Sequence, residues 1–456
     1  MKSSRRDLLR YGACGLLGRA AFLSGFDRFS LISAMAAPAQ PADYKALVCI
    51  FLFGGNDSNN TLVSIDNYAN YSAKRGNLAI AQASLLPISP ISGGSYALHP
   101  SMTKLQALFN QAPSPLAVLC NVGTLTAPIT KTGYTSGASR PYQLFSHSDQ
   151  QNQWQASISS QDSPTGWGGR MADATQDSTT GFPTVCSVAG VPIFTVGTET
   201  QPVALSPVPT PLNQTLQLVH PDSMIQPILV ADQNIQNTLS LLVTPSSDIS
   251  QFALNNSALL STNPTLKTTF PTTSLGNQLA QVAKVITLSS SLGLRRQIFF
   301  CSLGGFDTHT VQLTTQASLL GQLSDAMAAF YAETVAQGVS RQVTAFTLSD
   351  FSRTFVPAGA AVAVIGSDHA WGSHQFILGD SVSGGTFYGA FPDLTPAGNQ
   401  DTDSGTGARG PWIPTTSVDE FASTLALWYG LATSDLTTVF PNIGAFATSN
   451  LGFMLS

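Results

Sequence analysis

The chain is predicted to fold as a three-layer α/β/α sandwich around a mostly parallel sheet, on three observations. First, its strongest apolar runs are Ala46–Phe53, Leu116–Cys120, Ile298–Cys301 and Val343–Leu348, and they run into Gly, Asn or Asp instead of alternating with polar residues. Continuous apolar strands with polar ends are what a parallel sheet covered on both faces requires. Second, stripes at helical spacing lie between or after these runs. Third, the unusual polar residues gather just past the runs, where open parallel sheets collect ligands.

The N-terminus comes first in the chain. Ser4-Arg5-Arg6-Asp7-Leu8-Leu9-Arg10 has the form of a twin-arginine export signature. An apolar stretch follows from Tyr11 to Phe29, interrupted by Arg19, and ends near the small-x-small site Ala34-Met35-Ala36. This pattern predicts a signal peptide over residues 1–36, the twin-arginine translocase as export partner, and a periplasmic or secreted mature chain over 37–456. Cleavage removes six basic and two acidic residues, so the formal charge moves from −5 to −9. No Lys/Arg cluster remains, which leaves a nucleic-acid partner without electrostatic support. No mature segment has 18 consecutive apolar residues, so no stable membrane span is expected. Cys49, Cys120 and Cys301 lie in apolar runs and Cys186 in a shorter one. They are read as buried thiols rather than disulfides.

Leu275, Leu279, Val282 and Ile286 form one helical stripe. Leu319/Leu320, Leu323, Met327 and Phe330/Tyr331 form another between the Ile298 and Val343 runs, giving a strand–helix–strand unit. Ser417-Val-Asp-Glu420 reads as a capping box opening a helix with Phe421, Leu425 and Trp428 on one face. Residues 197–265 are rich in Pro, Thr, Gln, Asn and Ser, and are read as an insertion or cap over one end of the sheet. Residues 126–141 and 392–412 are expected as long surface loops.

The polar strand ends carry the chemistry. The first run leads into Gly54-Gly55-Asn56-Asp57, the Ile298 run into Gly304-Gly305-Phe306-Asp307-Thr308-His309, and the Val343 run into Ser349-Asp350-Phe351-Ser352-Arg353. Ser367-Asp368-His369 and His374 come slightly later. Asp and His together offer the donors that zinc, manganese or a related divalent ion accepts. Each element also has a plainer reading: a turn at Gly54-Gly55-Asn56-Asp57, a helix cap at Asp307 or Thr308, an ion pair between Asp350 and Arg353. Ser146 in Ser146-His147-Ser148-Asp149 is either a hydroxyl nucleophile or the N-cap of a short helix.

Taken in order, Leu52-Phe53-Gly-Gly-Asn-Asp57, Leu98-His99-Pro100-Ser101-Met102, Ser146-His147, Gly305-Phe-Asp-Thr-His309, Asp350-Phe-Ser-Arg353-Thr354 and Ser367-Asp-His369-x-Trp-Gly follow the leader through nearly the whole mature chain. This set resembles the exported bacterial proteins grouped as domain of unknown function 1501, placed as a distant relative of the alkaline phosphatase and sulfatase superfamily. The resemblance implies an alkaline phosphatase-like core with two adjacent divalent metals and a Ser/Thr nucleophile acting on phosphate or sulfate esters. It would make Asp57, Asp307, His309, Asp350, His369 and His374 metal ligands and Ser146 the nucleophile. The pattern departs from that superfamily in three places. The pair is Asp307-x-His309 rather than Asp-x-x-x-His, Asp350 is followed by Phe351 rather than His, and no sulfatase-type formylglycine motif is present.

The leading expectation is therefore an exported hydrolase-like protein, acting on a small-molecule or glycan ester with zinc, manganese, magnesium or calcium bound and Arg353 as an auxiliary cation. The rival is a non-catalytic periplasmic binding or assembly protein that retains the fold.

Overall fold

Strand β1 (Lys45–Leu52) shows how the sequence builds the layers. Its residues are almost all buried, and successive side chains divide between two cores. Ala46, Val48, Ile50 and Leu52 face one core, and Leu47, Cys49 and Phe51 face the other. A strand apolar on both faces needs cover on both, and helices supply it. The computed structural model describes residues 43–175, 182–215, 260, 262–359 and 365–455. The leader at 1–36 and much of the 197–265 segment lie outside the described residues.

The strands that follow are β2 (Leu62–Ser64), β3 (Leu86–Ile88), β4 (Tyr96–Leu98), β5 (Leu116–Gly123), β6 (Val185–Ser187) and β7 (Val203–Ala204). After them come β8 (Arg296–Leu303), β9 (Val343–Ser349), β10 (Ser373–Leu378), β11 (Phe387–Tyr388) and β12 (Thr416–Ser417). The main sheet runs in the order β11-β5-β10-β9-β1-β8-β6-β7, with β12 also paired to β5, while β2, β4 and β3 form a small antiparallel sheet. Within the main sheet β10 alone is antiparallel to its neighbours, β5 and β9.

Seven helices matter to the argument: α1 (Tyr68–Arg75), α2 (Thr103–Asn110), α3 (His147–Ala156), α4 (Trp167–Ala174), α5 (Ser274–Leu288), α6 (Gln312–Gln337) and α7 (Val418–Tyr429). Leu105 of α2, Leu279 and Val282 of α5, and Leu323 and Met327 of α6 fill one core. Trp154 of α3, Trp167 of α4, and Phe421, Leu425 and Trp428 of α7 fill the other. The α7 capping box forms as read, with the Ser417 hydroxyl and Glu420 carboxylate each accepting the other's backbone N–H. Together these elements make a three-layer α/β/α sandwich with a mostly parallel sheet. Among the described residues Cys49, Cys120, Cys186 and Cys301 are free and buried.

The sequence reading did not anticipate β10. Its first residues, Ser373-His374-Gln375, are polar yet fully enclosed, because neighbouring groups satisfy them. Thr347 donates to Gln375 Oε1 (2.8 Å) and Gln375 Nε2 donates to the Ser373 hydroxyl (2.7 Å). Partnering of this kind removes the penalty that makes polar residues look unfit for a central strand. The described start of the 197–265 segment adds β7 to the edge of the main sheet. The expected loop at 126–141 holds a short helix, Lys131–Ser136. Lys131 ties it to the 392–412 loop by donating to the carbonyls of Ala397 (2.9 Å) and Gly398 (3.0 Å). Among the described residues no helix is long and apolar enough to cross a membrane.

Candidate metal centre

β1, β8 and β9 pair in parallel, so their C-terminal loops meet at one edge. The β1 loop must lie directly against the β8 loop. Gly54 adopts φ +111°, and a Cβ there would sit 2.3 Å from the Asp307 nitrogen, so only glycine fits. Gly366 is similar: a Cβ would meet the His309 carbonyl carbon at 2.2 Å. These close approaches press Asp307, His309 and the 367–369 segment together.

The centre of the arrangement is Asp307 Oδ1. Arg353 Nη1 donates to it at 2.9 Å from below. Three imidazole Nε2 atoms stand around it: His309 at 3.1 Å, His147 at 3.5 Å and His369 at 3.6 Å. Each ring is held by its other nitrogen. His147 Nδ1 bonds to the Asp350 carboxylate (2.7 Å), His369 Nδ1 to the Phe145 carbonyl (2.8 Å) and His309 Nδ1 to the Asp368 carboxylate (3.1 Å). A carbonyl or carboxylate oxygen accepts, so each Nδ1 carries the hydrogen, and a ring with no second proton presents a lone pair at Nε2. His147 Nε2 is buried without a hydrogen-bond partner. His309 Nε2 and His369 Nε2 lie 3.0 Å apart. Two lone pairs facing each other at that distance call for a proton or a cation between them.

These residues fit a divalent ion. Donor atoms of His147, Asp307 and His369 all lie within 4.8 Å of one another. Donors around a tetrahedral zinc with bonds of about 2.0–2.1 Å stand roughly 3.3 Å apart, in the range of the separations around Oδ1. Oxygen acceptors behind the rings are the usual outer layer of histidine metal sites, fixing tautomer and direction. Asp307 and His309 are about half exposed (48% and 45% of their side chains), so the cluster opens to solvent on that side.

Electrostatics agree with the geometry. Burial pushes the Asp307 carboxyl up, but Arg353, His147 and His309 outweigh it and hold it below the usual range. The hydrogen bond that His147 donates to the Asp350 carboxylate raises the His147 pKa against burial, and burial lowers that of His369. Burial also opposes the ionised form of Asp368, but Arg409 prevails and keeps its pKa low.

The structure sorts the residues singled out in the sequence. It brings Asp307, His309 and His369 together as expected. Asp350 is next to them, but fully buried and turned to His147, Gln151 Nε2 (2.8 Å) and the Gly54 N–H (3.2 Å), so it orients a ring and is not a member of the converging set. Asp57 is enclosed by an ion pair with Arg75 and a bond from Gln312, with no face left for an ion. His374 is inside β10. Its Nδ1 accepts the Asn121 N–H (3.1 Å), its ring stacks on Phe391, and burial drops its pKa to about 3. Arg353 is fully buried, with Nη1 on Asp307 and Nη2 on the Ser367 carbonyl (2.7 Å), which removes it from direct contact with a substrate. Ser146 is the N-cap residue of α3, but its hydroxyl turns to the Asp149 carboxylate and Ser148 Oγ. The residue the sequence reading undervalued is His147, which appears there only as the neighbour of Ser146. The available signal was its place one residue past an N-cap, where a short helix projects its first side chain over the sheet edge.

Similar solved structures include the zinc complex of the C-terminal periplasmic domain of EcEptC from Escherichia coli, at 11% identity and a TM-score of 0.32, covering 75% of this chain and 74% of that one. The lipoteichoic acid synthase LtaP from Listeria monocytogenes follows at 6% identity and 0.31, covering 89% and 79%. The PsFucS1 sulfatase from Pseudoalteromonas sp. follows at 9% and 0.32, covering 90% and 71%. Scores this low carry no weight beside the sheet topology itself. No curated protein matches the chain. The pattern of the family described as "Protein of unknown function (DUF1501)" matches residues 44–403, and the chain belongs to that family.

Proposed function

We propose that the chain is an exported, metal-dependent ester hydrolase whose centre is built on His147, Asp307 and His369, with His309 at its open side. One observation carries this reading: three imidazoles are each held at Nδ1 by an oxygen and each aim Nε2 at the same carboxylate oxygen. Imidazoles with one carboxylate suit zinc or manganese better than calcium or magnesium, which favour oxygen ligands. A divalent ion bound there supplies Lewis acidity and a nucleophile at neutral pH. The chain's own residues do the rest. Asp350 and the Phe145 carbonyl fix the ring directions, and Arg353 offsets the Asp307 charge from the buried side. The exposed side, at Asp307 and His309, admits a small-molecule or glycan phosphate or sulfate ester. The Ser146 hydroxyl is engaged by Asp149, so the attacking group is assigned to water. The leader at residues 1–36 supports export before action.

The test is metal content of mature protein purified without chelators, followed by turnover on aryl phosphate and aryl sulfate esters. About one equivalent of zinc or manganese with ester turnover is expected, and both should be lost in Asp307→Asn. A folded, metal-free protein that rebinds no zinc sinks the reading. A second reading, an exported binding or assembly protein, is favoured by the engagement of Ser146 with Asp149. Metal binding with no turnover on any ester selects it.

A further inference from the structure

Asp57 is the carboxylate at this edge that the metal-holding reading leaves unused, and its side-chain partners are as buried as it is. It accepts from Arg75 Nη2, from Gln312 Nε2 and from the Asn59 N–H (3.0 Å). Arg75 anchors it, since its remaining donors hold the carbonyls of Thr354 and Phe355 (both 3.0 Å) and Asn60 Oδ1 (3.2 Å). Gln312, the first residue of α6, can orient its amide in one way only. The Asp57 carboxylate, paired with Arg75, accepts, so the amide nitrogen faces it, and Oε1 accepts the Ser367 hydroxyl. The Ser367 carbonyl in turn accepts from Arg353 Nη2 (2.7 Å), whose Nη1 reaches Asp307 (2.9 Å). Ser367 also opens the segment Ser367-Asp368-His369. The Gln312 N–H fixes the backbone just before it through the Ile365 carbonyl (3.1 Å). Asp57, Gln312, Ser367 and Arg353 are all at most 1% exposed.

We propose that Gln312 is a positioning residue for the metal centre. By bridging Asp57 and Ser367 it sets how far Asp307, reached through Arg353, stands from His369, two residues past Ser367. The inference rests on the metal-holding reading and extends it. Asp57 acts on the centre through other residues, with the Arg75 guanidinium and not an ion as its counter-charge. The relay is buried, and the Gln312 amide, the Ser367 hydroxyl and both Arg353 Nη atoms are hydrogen-bonded, so its geometry has little freedom to drift. Outer-layer partners of this kind typically govern metal affinity by about 10–100-fold.

The experiment uses cobalt(II) as the probe, read by its visible absorption and by titration of the full mature chain. Gln312→Met keeps the volume and loses both hydrogen bonds, and Ser367→Ala removes a single hydroxyl. Leu279→Ala, in the α5 core, serves as a control that lowers stability without touching the relay. Both relay variants are expected to bind cobalt about 10–100-fold more weakly and to shift the absorption bands at saturation, while the control binds like wild type. Relay variants within twofold of wild type, with unchanged bands, overturn the role. If Gln312→Met does not fold, Ser367→Ala alone decides. A wild-type protein that takes no cobalt overturns the metal-holding reading, and the relay's role with it.

Discussion

Asp57 and Asp307 begin from nearly equivalent places and end in opposite states. Each follows an apolar strand by a few residues, and the two strands lie side by side in parallel register, with Leu52 opposite Leu303. Yet Asp57 is closed, paired with a buried arginine and bridged by a glutamine, whereas Asp307 is half exposed beneath three imidazole lone pairs. The fate of a strand-end carboxylate is decided by which cation reaches it. Arg75 comes from α1, a helix between β2 and β3, and fills the space at Asp57. Arg353 also reaches Asp307, but only from below, and the upper side remains open. His374 and His369 repeat the contrast: one ring is enclosed in a strand with Nδ1 accepting a backbone N–H, and the other is held at Nδ1 by the Phe145 carbonyl with Nε2 directed at Asp307.

The largest effect should come from breaking the closed pair. Asp57→Ala leaves Arg75 buried without its carboxylate, and the expected loss is about 3–5 kcal/mol in urea unfolding. A loss under about 1 kcal/mol would show that the pair is not isolated from water as described. The open carboxylate should behave differently. Asp307→Asn keeps an acceptor for Arg353, so stability should fall by no more than about 1 kcal/mol. Zinc affinity measured by equilibrium dialysis should fall beyond the roughly 100-fold seen for outer-layer changes. Unchanged affinity would remove Asp307 from the centre.

The histidines give a third, smaller test. His374 has a pKa lowered to about 3 by burial, and burial likewise lowers that of His99 to about 4. A group whose folded pKa lies below its unfolded value near 6.5 binds fewer protons when folded between the two values. Its stabilising contribution is therefore complete above pH 6.5 and declines as pH falls toward 3, by up to about 1.4 kcal/mol per pH unit. His374→Gln should flatten the stability profile over that window. A profile as steep as wild type would mean His374 is not held neutral. The smallest effect is expected at Ser146. Its hydroxyl makes no cap bond and contacts Asp149 and Ser148. Ser146→Ala should leave zinc binding and ester turnover within about twofold, whereas loss of a true nucleophile removes several powers of ten. A loss of that size would restore Ser146 as the attacking group.

Much of the layered architecture was legible in the residues because burial on two faces leaves a one-dimensional trace. Runs such as Ala46–Phe53 have no other comfortable home, and the α5, α6 and α7 stripes match the cores they fill. The Ser417–Glu420 capping box was equally local and equally readable. β10 was not, because its buried polar residues are acceptable only through partners on other strands, such as Thr347. The edge at which chemistry gathers followed from the polar strand ends, and Asp307, His309 and His369 were found there. That Asp57 and His374 are closed off from those residues, while Arg353 backs Asp307 from the buried side, could not be seen in the same way. Residue type and position after a strand specify what a side chain can donate or accept. Whether it faces an ion, an arginine or a backbone amide depends on α1, α3 and the 365–369 segment, which arrive from distant parts of the chain. What the sequence determined by itself was the set of donors and the edge that carries them. Only the tertiary structure decided which were closed and which left open, because each partner that closes a group is brought by packing from an element far away in sequence.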